Sequence, residues 1–144
     1  MIKKVRHTGI VVSDLKKMSK FYESLGFVEF SSEIETGHFI DSVVNIANVK
    51  VEWIKMKSPD GFLLELLQYH SHPMPLNSEA FKSNDLGCSH LAYTVDDINN
   101  LCEKIVDGGG SISNYPVVSP NGKVKVAYCH DPEGVLIELV EELT

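Results

Sequence analysis

Two stretches decide the fold: His7-Thr8-Gly9-Ile10-Val11-Val12-Ser13-Asp14-Leu15 and its echo, His90-Leu91-Ala92-Tyr93-Thr94-Val95-Asp96-Asp97-Ile98. Each opens as a strand, with Thr8, Ile10 and Val12 on one face answering Leu91, Tyr93 and Val95. Ser13 and Asp96 stand where a helix N-cap is wanted, with Asp14 and Asp97 in the first turn, where the helix dipole favours an anion. Leu15, Met18, Tyr22 and Leu25 follow at helical spacing, as do Ile98, Leu101, Cys102 and Ile105. Both helices should end at glycine, at Gly26 and in the run Gly108-Gly109-Gly110. One face of each strand is thereby assigned to a covering helix.

The echo continues beyond the helices. Under a shorter shift, Pro59, Gly61, Leu63, Glu65 and Leu66 fall on Pro132, Gly134, Leu136, Glu138 and Leu139, so a loop-length difference separates the copies. Strand-like runs are expected over residues 28–33, 39–47, 49–56 and 62–69, and again over 111–113, 117–119, 124–130 and 135–141. The last pair in each copy is joined by a Pro and Gly turn, Ser58-Pro59-Asp60-Gly61 or Asp131-Pro132-Glu133-Gly134. The prediction is an α+β chain of two βαβββ modules, residues 1–69 and 88–144, with residues 70–87 as a polar, proline-containing linker inside one domain of residues 1–144.

With 144 residues and 43% hydrophobic content, the chain resembles an ordinary globular domain. Its net charge of −7 argues against a nucleic-acid partner. No apolar run approaches the roughly 18 residues that a membrane span needs, so no membrane partner is expected. Cys88, Cys102 and Cys129 are odd in number and lack C-x-x-C spacing, which fits a reducing cytoplasm. The single arginine, Arg6, leaves bidentate clamps on carboxylate or phosphate scarce.

Glu65 and Glu138 each interrupt a strand that is apolar on both faces. A carboxylate among leucines must be paired, protonated or metal-bound. His7 and His90 lie on the strand faces opposite those given to the helices. A lone strand histidine or glutamate is commonly a satisfied core or surface group. The same two departures at matching positions of both copies point instead to convergence of His7, Glu65, His90 and Glu138 on one divalent metal with positions left for substrate. His70 and His72 lie in the linker without echoes. His38 and His130 read as structural or rim residues, Cys88 as a small apolar one, and Met56, Met74, Trp53 and Phe62 as core or pocket lining. No P-loop, G-x-G-x-x-G, G-x-S-x-G or H-E-x-x-H is present.

His7 to Leu15, with Phe21-Tyr22-Glu23-Ser24-Leu25-Gly26-Phe27, resembles the opening of the vicinal oxygen chelate superfamily, which includes glyoxalase I, epimerases, extradiol dioxygenases and the fosfomycin and bleomycin resistance proteins. His90 to Ile98 and His130-Asp131-Pro132-Glu133-Gly134-Val135-Leu136-Ile137-Glu138-Leu139 resemble its second-half motifs. The resemblance implies two modules paired edge to edge into a curved mixed sheet around one divalent ion (Zn, Ni, Co, Mn or Fe), and a homodimer. Its metal positions fall on His7, Glu65, His90 and Glu138, a set like that of glyoxalase I.

By that analogy the ion acts as a Lewis acid on two neighbouring substrate oxygens and stabilises an enediolate, with Glu138 as chief base and Glu65 serving the opposite face. The expectation is a metal-dependent lyase or isomerase acting on a small molecule beside a carbonyl or hydroxyl, of the lactoylglutathione lyase kind. The rivals are a CoA-thioester epimerase, a ring-cleaving dioxygenase and a non-catalytic small-molecule binding or resistance protein.

Overall fold

The computed structural model describes residues 1–143. The chain forms two compact units, Met1–Leu76 and a second that begins at Asn77. The first contains β1 (Thr8–Val11), α1 (Leu15–Ser24), β2 (Val28–Thr36), α2 (His38–Val44), β3 (Lys50–Lys57) and β4 (Leu63–Tyr69). Its sheet runs β1-β4-β3-β2, with β1 parallel to β4 and the other pairs antiparallel. The second contains β5 (Leu91–Val95), α3 (Ile98–Asp107), β6 (Ser111–Ile112), β7 (Val117–Val118), β8 (Val124–His130) and β9 (Leu136–Glu142). There the order is β5-β9-β8-β6, β7 also pairing with β8, and β5–β9 is the parallel pair. The fold is the expected α+β, with one mixed sheet per unit.

The helix-bearing face of each sheet follows the sequence pattern. Ile10, Val12, Met56, Leu64 and Leu66 are buried in the first unit, along with Leu15, Met18, Phe21 and Tyr22 of α1. Phe21, Tyr22 and Phe27 stack edge to face at 5.1 and 5.8 Å. In the second unit Ile98, Cys102 and Ile105 of α3 are buried with Ala127, Cys129, Ile137 and Leu139. Each buried aliphatic side chain contributes about 1.5–3 kcal/mol, so this layer dominates the stability of each unit.

The caps lie one residue later than the sequence reading places them. Asp14 and Asp97, not Ser13 and Asp96, are the N-caps, and their Oδ1 atoms accept from the backbone N–H of Lys17 (2.9 Å) and Asn100 (3.0 Å). Aspartate three residues before a free N–H satisfies an orphan donor directly, which outweighs its value inside the first turn. The helix starts are also held from the sheets. Gln68 Oε1 accepts from Leu15 N at 2.9 Å, and its echo Glu141 Oε2 accepts from Ile98 N at 3.0 Å. The glycines Gly26 and Gly109, also echoes, close the helices at φ 104° and 93°, where a side chain would be strained.

Residues 39–47 are not a strand. They form α2, whose Ile40, with Val44 and Ile46, packs on Val49, Val51, Leu67 and Tyr69. An apolar run this short fits either period. The decision falls to Asp41, which accepts from Asn48 N and Val49 N at 2.9 Å each and turns the chain back into β3, and to Asn45, which ends the helix at φ 56°. This helix is the insertion behind the difference in echo shift. It covers part of the sheet face opposite α1. Residues 111–113 and 117–119 shrink to two-residue strands.

Segment 70–87 divides between the units. His70 N still donates to Lys50 O at the end of the first sheet, whereas Phe81 N donates to Gly134 O and Phe81 O accepts from His130 Nε2 at 2.7 Å.

Candidate functional site

In the first unit the parallel register sets Gly9 against Glu65, and alternation puts His7, Glu65, Trp53 and Lys55 on the face away from α1. In the second, Ala92 stands against Glu138 and Tyr128 is directly opposite it, which puts His90, Glu138 and Tyr128 on the face away from α3. Each histidine meets its glutamate. His7 Nε2 is 2.9 Å from Glu65 Oε2, and His90 Nε2 is 3.0 Å from Glu138 Oε2. The same nitrogen and the same register position recur in both units. Among the described residues, no group of three or more His, Cys, Asp or Glu side chains that could hold a metal is present.

The two glutamates differ in surroundings. Glu65 has a side-chain exposure of 11%, and its second oxygen, Oε1, faces Lys55 Nζ at 3.5 Å. Glu138 is at 22% and has Tyr128 as its cross-strand neighbour. Tyr128 also packs edge-on against the His90 ring at 5.2 Å. Loss of water, and then the Glu138 charge, push the Tyr128 hydroxyl above its ordinary pKa.

The Ser89 hydroxyl lies 3.1 Å from Ser83 O and 2.9 Å from His90 Nδ1, so one side chain ties the backbone of residue 83 to the His90 ring. A metal-binding histidine commonly has its other ring nitrogen in a hydrogen bond of this kind. Imidazole and carboxylate donors suit a divalent ion.

The remaining candidates fall outside these pairs. His70 Nε2 meets Glu52 Oε2 at 2.8 Å, and His72 Nδ1 bonds Ser71 Oγ. His130 ties Phe81 O to Ser113 Oγ and is structural. Met56 is core, Met74 is exposed, and Trp53 donates its indole N–H to Glu35 Oε2 at 2.7 Å. Cys88 is exposed, while Cys102 and Cys129 are buried with sulfurs 4.0 Å apart. Sequence reasoning missed Ser89, Lys55 and Tyr128. The last two were accessible, because the shift that pairs Glu65 with Glu138 also pairs Lys55 with Tyr128.

Residues 4–139 match the model of the glyoxalase/bleomycin resistance protein/dioxygenase superfamily. The chain belongs to this superfamily. A probable lactoylglutathione lyase of Synechocystis sp. is 38% identical over 139 residues, spanning 94% of this chain and 92% of that protein. The lactoylglutathione lyase of Escherichia coli O157:H7 is 38% identical over a shorter stretch of 53 residues, 37% of this chain and 39% of the enzyme. A glyoxalase family protein of Bacillus cereus superposes with a TM-score of 0.91 over 100% of this chain and 97% of its own, at 26% identity. A glyoxalase I variant from Zea mays matches at a TM-score of 0.64 and 21% identity over 95% of this chain and 46% of that one, a likeness of fold.

Proposed function

We propose that the protein is a metal-dependent lyase or isomerase of the lactoylglutathione lyase kind, with His7, Glu65, His90 and Glu138 as ligands of one divalent ion. The observation that carries the reading is the duplicated His–Glu pair, 2.9 Å in one unit and 3.0 Å in the other, each made through Nε2 and Oε2. The superfamily membership and the Synechocystis relative support the same activity. The bound ion would supply Lewis acidity, drawing electron density from two neighbouring substrate oxygens and acidifying the C–H beside them.

The protein's own groups do the rest. His7 and His90 hold position, His90 through the hydrogen bond between its Nδ1 and the Ser89 hydroxyl. Glu138, the more open of the two carboxylates, takes the proton from the carbon beside the carbonyl and delivers it to the former carbonyl carbon, while the hydroxyl proton passes to the former carbonyl oxygen, turning a hemithioacetal into a hydroxyacyl thioester. Glu65 faces the opposite side of the substrate.

The test is conversion of a glutathione hemithioacetal to thioester by protein loaded with Ni, Co, Zn or Mn. Turnover that chelator abolishes, and that Glu138→Gln lowers about 10²–10⁴-fold, is expected. Protein that binds the ion yet converts no hemithioacetal contradicts the assigned reaction, and full turnover in both Glu65→Gln and Glu138→Gln contradicts the proton shuttle.

A further inference from the structure

A row of contacts crosses β2, β3 and β4 of the first sheet and ends on His7, just before β1. Glu35 of β2 accepts the indole N–H of Trp53 at 2.7 Å, and Lys55, two residues along β3, lays its ammonium over the Trp53 ring at 4.2 Å from the centroid. The ammonium also reaches Glu65 Oε1 of β4 at 3.5 Å, and Glu65 Oε2 meets His7, the residue just before β1. The two oxygens of Glu65 are thus divided, one to a histidine and one to a fixed cation. Lys55 is itself confined, because the ring and the carboxylate attract the same charge from two sides.

The second unit has the histidine and the glutamate without this row. Under the echo, Trp53 becomes Val126 and Lys55 becomes Tyr128, so the residue opposite Glu138 brings no positive charge. Two carboxylates at equivalent positions are held unequally, and the difference lies in the side chains of β3 and β8.

We infer that Lys55, steadied by Trp53, is a positioning residue that fixes Glu65 as the immobile carboxylate of the site by occupying Oε1 and leaving Oε2 on the His7 side. The inference rests on the proposed metal site, and deepens it. An outer partner that orients a ligating carboxylate typically changes metal affinity 10–100-fold when removed. Tyr128 has no such hold on Glu138, so the uneven grip assigns the mobile role to Glu138 without any difference between the two glutamates themselves.

The experiment is a Co(II) titration of metal-free protein, followed by competition with a chelating dye, on wild type and on Lys55→Met, Lys55→Arg, Trp53→Leu and Tyr128→Phe. Thermal unfolding of each metal-free variant confirms that it is folded. Expected are at least about tenfold weaker Co(II) binding in Lys55→Met, a smaller loss in Trp53→Leu, recovery towards wild type in Lys55→Arg, and a change under about threefold in Tyr128→Phe. Unchanged or tighter binding in Lys55→Met overturns the inference, the latter making Lys55 a competitor for the carboxylate. Equal losses in Lys55→Met and Tyr128→Phe overturn the asymmetry. Failure of wild type to bind Co(II) overturns instead the metal reading on which the inference rests.

Discussion

Glu65 is buried on a central strand, and His7 Nε2, from the residue just before β1, lies 2.9 Å from its Oε2. The parallel register of β1 on β4 makes the contact possible, since it sets Gly9 against Glu65 and leaves His7 on the same face. A buried carboxylate that loses a partner retains its desolvation penalty. In metal-free protein near neutral pH, His7→Ala should therefore cost about 1–3 kcal/mol, read by urea unfolding. The double variant His7→Ala, Glu65→Leu should recover part of that loss, because no carboxylate is then left in the leucine strand. A His7→Ala variant as stable as wild type would place Glu65 in good contact with water.

The helix starts offer a second measurement. Asp14→Ala and Asp97→Ala should each cost about 1 kcal/mol, because each removes the acceptor of one N-terminal N–H. Asp96→Ala should cost less than about 0.5 kcal/mol, being exposed and outside the cap. Gln68→Ala and Glu141→Ala remove the sheet-to-helix bonds to Leu15 N and Ile98 N and should each cost about 1 kcal/mol. Chemical denaturation of the five variants checks the ranking.

These caps show how much the sequence made legible. The strand–helix–glycine pattern is readable from periodicity, and the repeat singles out His7, Glu65, His90 and Glu138. The cap lies one residue beyond the expected position because Ser13-Asp14 and Asp96-Asp97 each offer two capping side chains, and only the geometry of the N–H groups chooses between them. Helix α2 replaces the expected strand because Asp41 bonds to residues seven and eight positions on, an effect that local pattern does not carry. Lys55 carries no local signal, because a lysine in a strand is ordinary until its register partner is known to be Glu65.

The cysteines predict a pH-dependent behaviour. Burial first, then the neighbouring Cys102 sulfur, push the Cys129 thiol up to about 12, and burial raises Cys102 as well. In the folded protein both remain protonated where an unfolded thiol ionises, near about pH 8.5. Above that pH the native state binds more protons than the unfolded one, so this contribution falls as pH rises from about 9 towards 12. Iodoacetamide at about pH 8 should label only the exposed Cys88 in native protein and all three cysteines after denaturation, as read by mass spectrometry of the peptides.

The buried layer between helix and sheet predicts the largest structural losses. Met56→Ala and Leu139→Ala, at fully buried positions in the two units, should each cost about 2–5 kcal/mol through lost burial and a residual cavity. Thermal unfolding of each variant, with wild-type metal affinity retained in the folded fraction, separates this structural role from the His–Glu pairs.

The central claim is that His7, Glu65, His90 and Glu138 hold one divalent ion. Elemental analysis of untagged protein purified without chelator, wild type beside the His7→Ala, His90→Ala double variant, tests it most directly. The account predicts about one ion per chain in wild type and its loss from a variant that still folds. Absence of metal from wild type, even after exposure to Ni, Co, Zn or Mn, or equal metal in both proteins, would contradict it.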